Sequence, residues 1–184
     1  MTRNAALRWQ ESYASPALGD YDNDGLLDLY FTTVYPGDQS VLYRNGGKWN
    51  FTEVPEGAGL SRPVTYQAAW ADFNNDGCLD IATGGRLLRN PGNGNHWLKV
   101  RLEGSGKTNR AAIGAQIRVK LADRTLTRQV EGATGQGNQN DLTMHLGLSD
   151  HKDPVQLQIR WPTGALQELQ TPVDRILTIK QAQE

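Results

Sequence analysis

Apolar and polar residues alternate with period two over most of the second half of the chain. In "HWLKVRLE", Leu98, Val100 and Leu102 fall at every second position, and in "VQLQIRW" so do Val155, Leu157, Ile159 and Trp161. Half-buried antiparallel strands require this spacing. "IGAQIRVKL", "TLTRQVE", "LTMHLGL" and "ILTIK" follow the same rule, and six or seven such strands joined by short turns predict a β-sandwich or partly open barrel. The first half alternates over shorter runs, "LLDLYFTTV" and "CLDIAT" among them, set between stretches rich in Gly, Asp and Asn. Long helical periodicity is absent, so the chain reads as all-β.

The polar stretches of the first half repeat. Residues 19–28 read "GDYDNDGLLD" and residues 71–80 read "ADFNNDGCLD", 52 positions on. Each offers oxygen donors at alternate places: Asp20, Asp22, Asp24, the carbonyl of Leu26 and Asp28 in the first, and Asp72, Asn74, Asp76, the carbonyl of Cys78 and Asp80 in the second. A shell made only of oxygen suits a hard cation, and six or seven donors at flexible distances favour Ca²⁺ over Mg²⁺. Gly25 and Gly77 stand where the backbone must turn sharply to bring the next carbonyl inward. Two Ca²⁺ sites are therefore expected. The first, with four aspartates, is expected to bind more tightly than the second, where Asn74 removes a charge.

An EF-hand loop begins in the same way but needs a glutamate at its twelfth position and flanking helices. Phe31 and Thr83 occupy that place here, and β-type sequence follows. Solvated hairpin turns are the plainer alternative. Two loops in register, each followed by an apolar run, argue against that reading, as do four carboxylates packed into one turn with no cation between them.

Charge changes the picture by where it lies. Residues 1–95 hold 7 basic and 11 acidic groups, whereas residues 96–184 hold 12 and 9. Seven of the eleven N-terminal acids sit in the two loops, so the negative charge is concentrated where a cation can use it. No basic cluster is dense enough to argue for nucleic acid. No apolar run approaches the roughly 18 residues of a membrane span, and "MTRNAALRWQ" lacks the apolar core of a signal peptide; secretion would need an address that has been removed or lies upstream. The single cysteine, Cys78, excludes an intramolecular disulfide and leaves the compartment open.

Aligned on the loops, "SPALGDYDNDGLLDLYF" lies over "QAAWADFNNDGCLDIAT", and "LYRNGG" over "LLRNPG". These residues resemble the FG-GAP/VCBS repeats of integrin-like β-propellers over about residues 15–95. The resemblance implies that each loop joins adjacent strands of a blade and binds Ca²⁺. "NHWLKVRLEG", "TNRAAIGAQIRV", "QNDLTMHLGL" and "IRWPTG" resemble the ASPIC/UnbV domain that follows such repeats in cartilage acidic protein-like chains. The implied architecture is a partial β-propeller of two repeats over residues 1–95 and a β-sandwich-like ASPIC/UnbV domain over 96–184. The implied protein is secreted, periplasmic or at the cell surface, and has no established catalytic role. Propellers need about four blades or more, so two repeats predict missing upstream blades, or packing on the C-terminal domain or another subunit.

The remaining motifs add little chemistry. His96, His145 and His151 lack zinc spacing, the Cys78 thiol has no neighbouring base in the sequence, and no phosphate loop or G-x-S-x-G elbow occurs. Asn138, Gln139, Asn140 and Asp141 form an amide-rich cluster between strands, read either as turn chemistry or as a contact for a sugar or partner. Asn109 and Arg110 before "AAIGA", and the "WPTG" turn, read as architectural. The expected function is a non-enzymatic, calcium-binding extracellular interaction or adhesion module for a protein or glycan ligand. Five tryptophans and the amide cluster motivate a carbohydrate-binding or carbohydrate-processing module as the alternative, and a purely structural terminal portion of a larger propeller is the third reading.

Overall fold

The computed structural model describes residues 7–8, 10–56, 59–135 and 137–182. Its regular structure is β: fourteen strands and no α-helix among the described residues. The chain divides into two compact units, the first built from residues up to Tyr21, Leu26–Gly92 and Ala133–Asn140, the second from Asp22–Gly25, Asn93–Gly132 and Asp141 onward.

The first unit holds two antiparallel sheets. Strands β1 (Tyr13–Gly19), β2 (Asp28–Thr33), β3 (Val41–Asn45) and β4 (Phe51–Glu53) pair in chain order, as do β5 (Ala68–Ala71), β6 (Asp80–Thr83) and β7 (Arg86–Leu88). Each repeated loop closes a hairpin at the same register, Gly19 opposite Asp28 in one sheet and Ala71 opposite Asp80 in the other. Alternation then sends Ala17, Tyr30 and Leu42 of the first sheet into one core with Ala68, Trp70 and Ile81 of the second. Tyr30 and Trp70 meet edge to face, with centroids 6.4 Å apart, a favoured aromatic geometry. Gly19 permits this packing, because a Cβ there would stand 2.7 Å from the Trp70 ring. On the opposite face of the first sheet the Tyr13 ring stacks on Phe31 at 4.5 Å, and Phe31 meets Tyr43 edge-on at 6.3 Å. Two successive sheets stacked face to face, without closure, make a partial propeller.

The second unit is a sandwich. One sheet runs β10 (Thr125–Gln129), β9 (Gln116–Lys120), β12 (Val155–Arg160), β13 (Leu166–Thr171), and the other β11 (Met144–Ser149), β8 (His96–Glu103), β14 (Arg175–Lys180). Their inward residues, Leu98, Val100, Ile117, Val119, Leu146, Leu157 and Ile159 among them, share one core and are fully buried.

Two features depart from the sequence expectation. β13 carries the polar run "LQELQT" at a sheet edge with alternate residues exposed, so its apolar signal is too thin to stand out. β14 pairs with β8 in parallel rather than antiparallel fashion. The chain crosses from one sheet to the other between Thr171 and Arg175, where Asp174, at φ 56, donates its N–H to the Trp97 carbonyl at 2.7 Å. The Asp174 carboxylate accepts from the Trp97 N–H at 3.1 Å and lies 2.6 Å from His96 Nδ1. These contacts set the start of β14 beside the start of β8, which fixes the parallel direction.

Candidate metal centre

The two loops share a backbone. Asn23 and Gly25 have φ of 56° and 90°, and Asn75 and Gly77 have φ of 59° and 86°. The left-handed region suits glycine and, next best, asparagine, so the repeated "ND-G" spelling is a conformational requirement as well as a donor pattern.

Within the first loop the carboxylates of Asp20, Asp22 and Asp28 converge, each offering an oxygen within 4.8 Å of the others. Asp20 and Asp28 are buried, and Asp22 is half-buried. Oxygens held at 2.3–2.6 Å from one ion lie at most about 5 Å apart across it, so the trio has the span of a Ca²⁺ shell. The donors are all oxygen, as a hard divalent cation prefers, and the residues present fit the ion. Among the described residues no other three His, Cys, Asp or Glu side chains meet in this way. Asp24 stands outside the trio, its N–H donating to Asp22 Oδ1 at 3.3 Å, and Leu26 is half-buried at the seventh place of the loop.

The second loop has Asn74 where the first has Asp22, so it lacks the third carboxylate. Asp72 Oδ1 accepts from the Asp76 N–H at 3.1 Å, and its Oδ2 accepts from the Gly77 N–H at 2.9 Å. The exposed Asp76 carboxylate accepts from Asn74 Nδ2 at 2.7 Å, from the Cys78 N–H at 3.0 Å and from Arg89 at 3.1 Å. Burial works against ionisation of Asp76, but these donors outweigh it and hold its carboxyl below the usual range. Asp80 moves the other way, raised by burial and by the charges of Asp76 and Asp72 against the amides of Asn90 and Phe73. Burial, with the Asp76, Asp72 and Asp80 charges behind it, pushes the Cys78 thiol up to about 11. Of the second set, then, Asp72, Asn74 and Asp76 are tied into the loop's own hydrogen bonds.

A pair of positioning residues escaped the sequence reading. Asp28 Oδ2 accepts from the Tyr21 N–H at 3.1 Å and its Oδ1 from the Asn45 N–H at 2.8 Å. Asp80 repeats both bonds with Phe73 at 3.1 Å and Asn90 at 2.8 Å. The side chains of Asn45 and Asn90 donate to the carbonyls of Leu27 and Leu79 and accept from the N–H groups of Gly47 and Gly92. Each asparagine thus clamps the end of a metal-type loop to the turn that follows the third strand. A carboxylate oxygen has a second lone pair, so Asp28 can hold these amides and still face a cation. The signal was the recurring "RN-x-G", but the asparagine follows its aspartate by 17 residues in one repeat and 10 in the other, which hides the pairing.

The amide cluster divides between structure and surface. Asn138 is buried and donates to Ser15 Oγ at 2.8 Å. Asn140 accepts from the Trp70 N–H at 3.0 Å and donates to the Leu18 carbonyl at 3.3 Å, joining β5 to β1. Asp141 accepts from the Thr143 N–H at 3.0 Å, as a turn-forming aspartate does. Exposed Gln139 reaches a groove of about 590 Å³ beside Tyr66, Gln67 and Arg86.

Family comparison agrees with the geometry. An FG-GAP-like repeat matches residues 20–83, a span that opens on Asp20 and covers both loops, and an ASPIC and UnbV domain matches residues 104–184. No curated protein matches the chain. No helix among the described residues is long and apolar enough to cross a membrane. FG-GAP repeats are typical of extracellular or surface proteins, and the pairing of the two domains marks an extracellular-type repeat module. On both its halves, the chain belongs to the FG-GAP repeat proteins that carry a C-terminal ASPIC/UnbV domain.

Proposed function

We propose that this chain is a non-enzymatic interaction module of a secreted or surface protein, in which Ca²⁺ bound to the first loop rigidifies the repeat and steadies the surface it presents to a protein or glycan. The observation that carries the reading is the convergence of Asp20, Asp22 and Asp28 within 4.8 Å. Bound calcium would supply the positive charge that lets three carboxylates share one turn. The second loop is the weaker site, because binding there competes with the Asp76–Arg89 ion pair and the Asn74 hydrogen bond. Surface capture of a candidate partner with and without EDTA tests the proposal. Capture should fall on chelation and return with added Ca²⁺; capture indifferent to Ca²⁺ contradicts the metal's role in presentation.

One observation favours a second reading, carbohydrate recognition. The Tyr66 ring is 57% exposed at the rim of the 590 Å³ groove, beside the amides of Gln67 and Gln139. An aromatic face flanked by amides is suited to a sugar ring. Glycan-array binding that is lost in Tyr66→Ala supports this reading, and an array without hits removes it.

A further inference from the structure

The second unit carries a cavity that neither the loops nor the sandwich core accounts for. It is an open hollow of about 250 Å³ lined by Arg101, Leu102, Glu103, Arg110, Ala111 and Leu142. Its accessible apolar side chains are the half-buried Ala111 and Leu142, since Leu102 turns into the core. Arg101 faces out because Val100 and Leu102, its neighbours along β8, face in. Arg110 is brought to the same place by the turn that follows β8: its carbonyl accepts from the Gly104 N–H at 3.1 Å, while Asn109 bonds the N–H and carbonyl of Ile113 at 2.9 and 3.0 Å. Asn109 is therefore architectural, as the sequence suggests.

Both guanidinium groups belong to exposed residues, and neither enters a hydrogen bond or ion pair with another described residue. Glu103, the one carboxylate on the cavity, lies 3.7 Å from Lys180 on the adjacent strand. Two guanidinium groups and one carboxylate thus line the cavity beside Ala111 and Leu142. A guanidinium presents a planar fork that matches a carboxylate. A concave site with an apolar lining and a few converging polar groups is the general form of a small-ligand pocket.

We infer that this cavity binds a small monocarboxylate with an apolar body, such as a short-chain or aryl acid. Arg101 and Arg110 take the carboxylate, and Ala111 and Leu142 take the body. Glu103 disfavours an anion of higher charge. The inference does not rest on the calcium reading, since none of these residues belongs to either loop.

The test is an NMR titration of the full chain with hexanoate, with acetate and inorganic sulfate at matched ionic strength as comparison. Hexanoate should give saturable shifts at the amides of Leu102, Ala111 and Leu142, and acetate and sulfate should bind roughly tenfold more weakly or worse. The double variant Arg101→Gln, Arg110→Gln should weaken hexanoate binding by roughly tenfold or more. Should that variant melt early, Arg110→Lys keeps the charge while losing the fork, and should also bind more weakly. The inference is overturned by an absence of saturable shifts up to about 50 mM, where a millimolar Kd would saturate. Unchanged affinity in the folded variants, or sulfate binding as tight as hexanoate, overturns it equally.

Discussion

Asp28 meets two demands with one side chain. It closes the hairpin by accepting from the Tyr21 and Asn45 N–H groups, and it offers an oxygen to the trio with Asp20 and Asp22. Asp22 is half-buried, accepts from the Asp24 N–H and offers an oxygen to the same trio. The two should separate on mutation. In EDTA, Asp28→Ala should lose about 1–3 kcal/mol of stability, because two amides lose a charged acceptor. Asp22→Ala, at a half-buried position, should cost less than Asp28→Ala under the same conditions, and both should lose Ca²⁺ affinity. Urea unfolding in EDTA and in Ca²⁺ checks this; equal effects of the two variants in EDTA would contradict the division of roles. Asn45→Ala leaves the Leu27 carbonyl and the Gly47 N–H without their side-chain partner. It should cost about 1–2 kcal/mol and weaken Ca²⁺ binding through Asp28, whereas Asn138→Ala should destabilise without touching Ca²⁺ affinity.

At the scale of the element, the sheets are held by packing that tolerates little change. Gly19→Ala would drive a methyl into the Trp70 ring, and overpacking of this kind costs about 1–3 kcal/mol; thermal unfolding should report it, and an unchanged midpoint would place Trp70 elsewhere. Leu157→Ala in the fully buried centre of β12 should cost about 2–5 kcal/mol. The strands most legible in the sequence are those whose inward residues are large and uninterrupted. His96–Glu103 was visible entire in "HWLKVRLE", and so was Val155–Arg160 in "VQLQIRW". β13 was hidden because an edge strand puts polar residues on its open face, and β4 because three residues carry no periodicity. The parallel pairing of β14 was hidden for a different reason: it depends on the Asp174 contacts to His96 and Trp97, 78 and 77 positions away. Donor spacing named the loop residues but not which of them converge. The second loop lacks the carboxylate trio because Asn74 stands where the first loop has Asp22, whereas Asp76 matches Asp24, which lies outside the trio.

For the molecule as a whole, the calcium reading assigns the ion a local structural effect. Free Ca²⁺ at about ten times the Kd adds about 1.4 kcal/mol per site. The gain should appear as slower amide exchange in β1 to β3, which the first loop and its Asn45 clamp join, and far less in the sandwich strands β9 and β12. Exchange that slows equally in every strand would point to a global effect instead. Charge fits this picture: seven acids gathered in two loops leave the rest of the chain mildly basic. The measurement that bears most directly on the central claim is a calorimetric Ca²⁺ titration of the full chain, of Asp22→Ala and of Asp76→Ala. The account predicts binding with a Kd of about 10⁻³ M or tighter. The tighter event should be lost in Asp22→Ala and retained in Asp76→Ala. No binding by the parent chain, or a tighter event that survives Asp22→Ala, would contradict it.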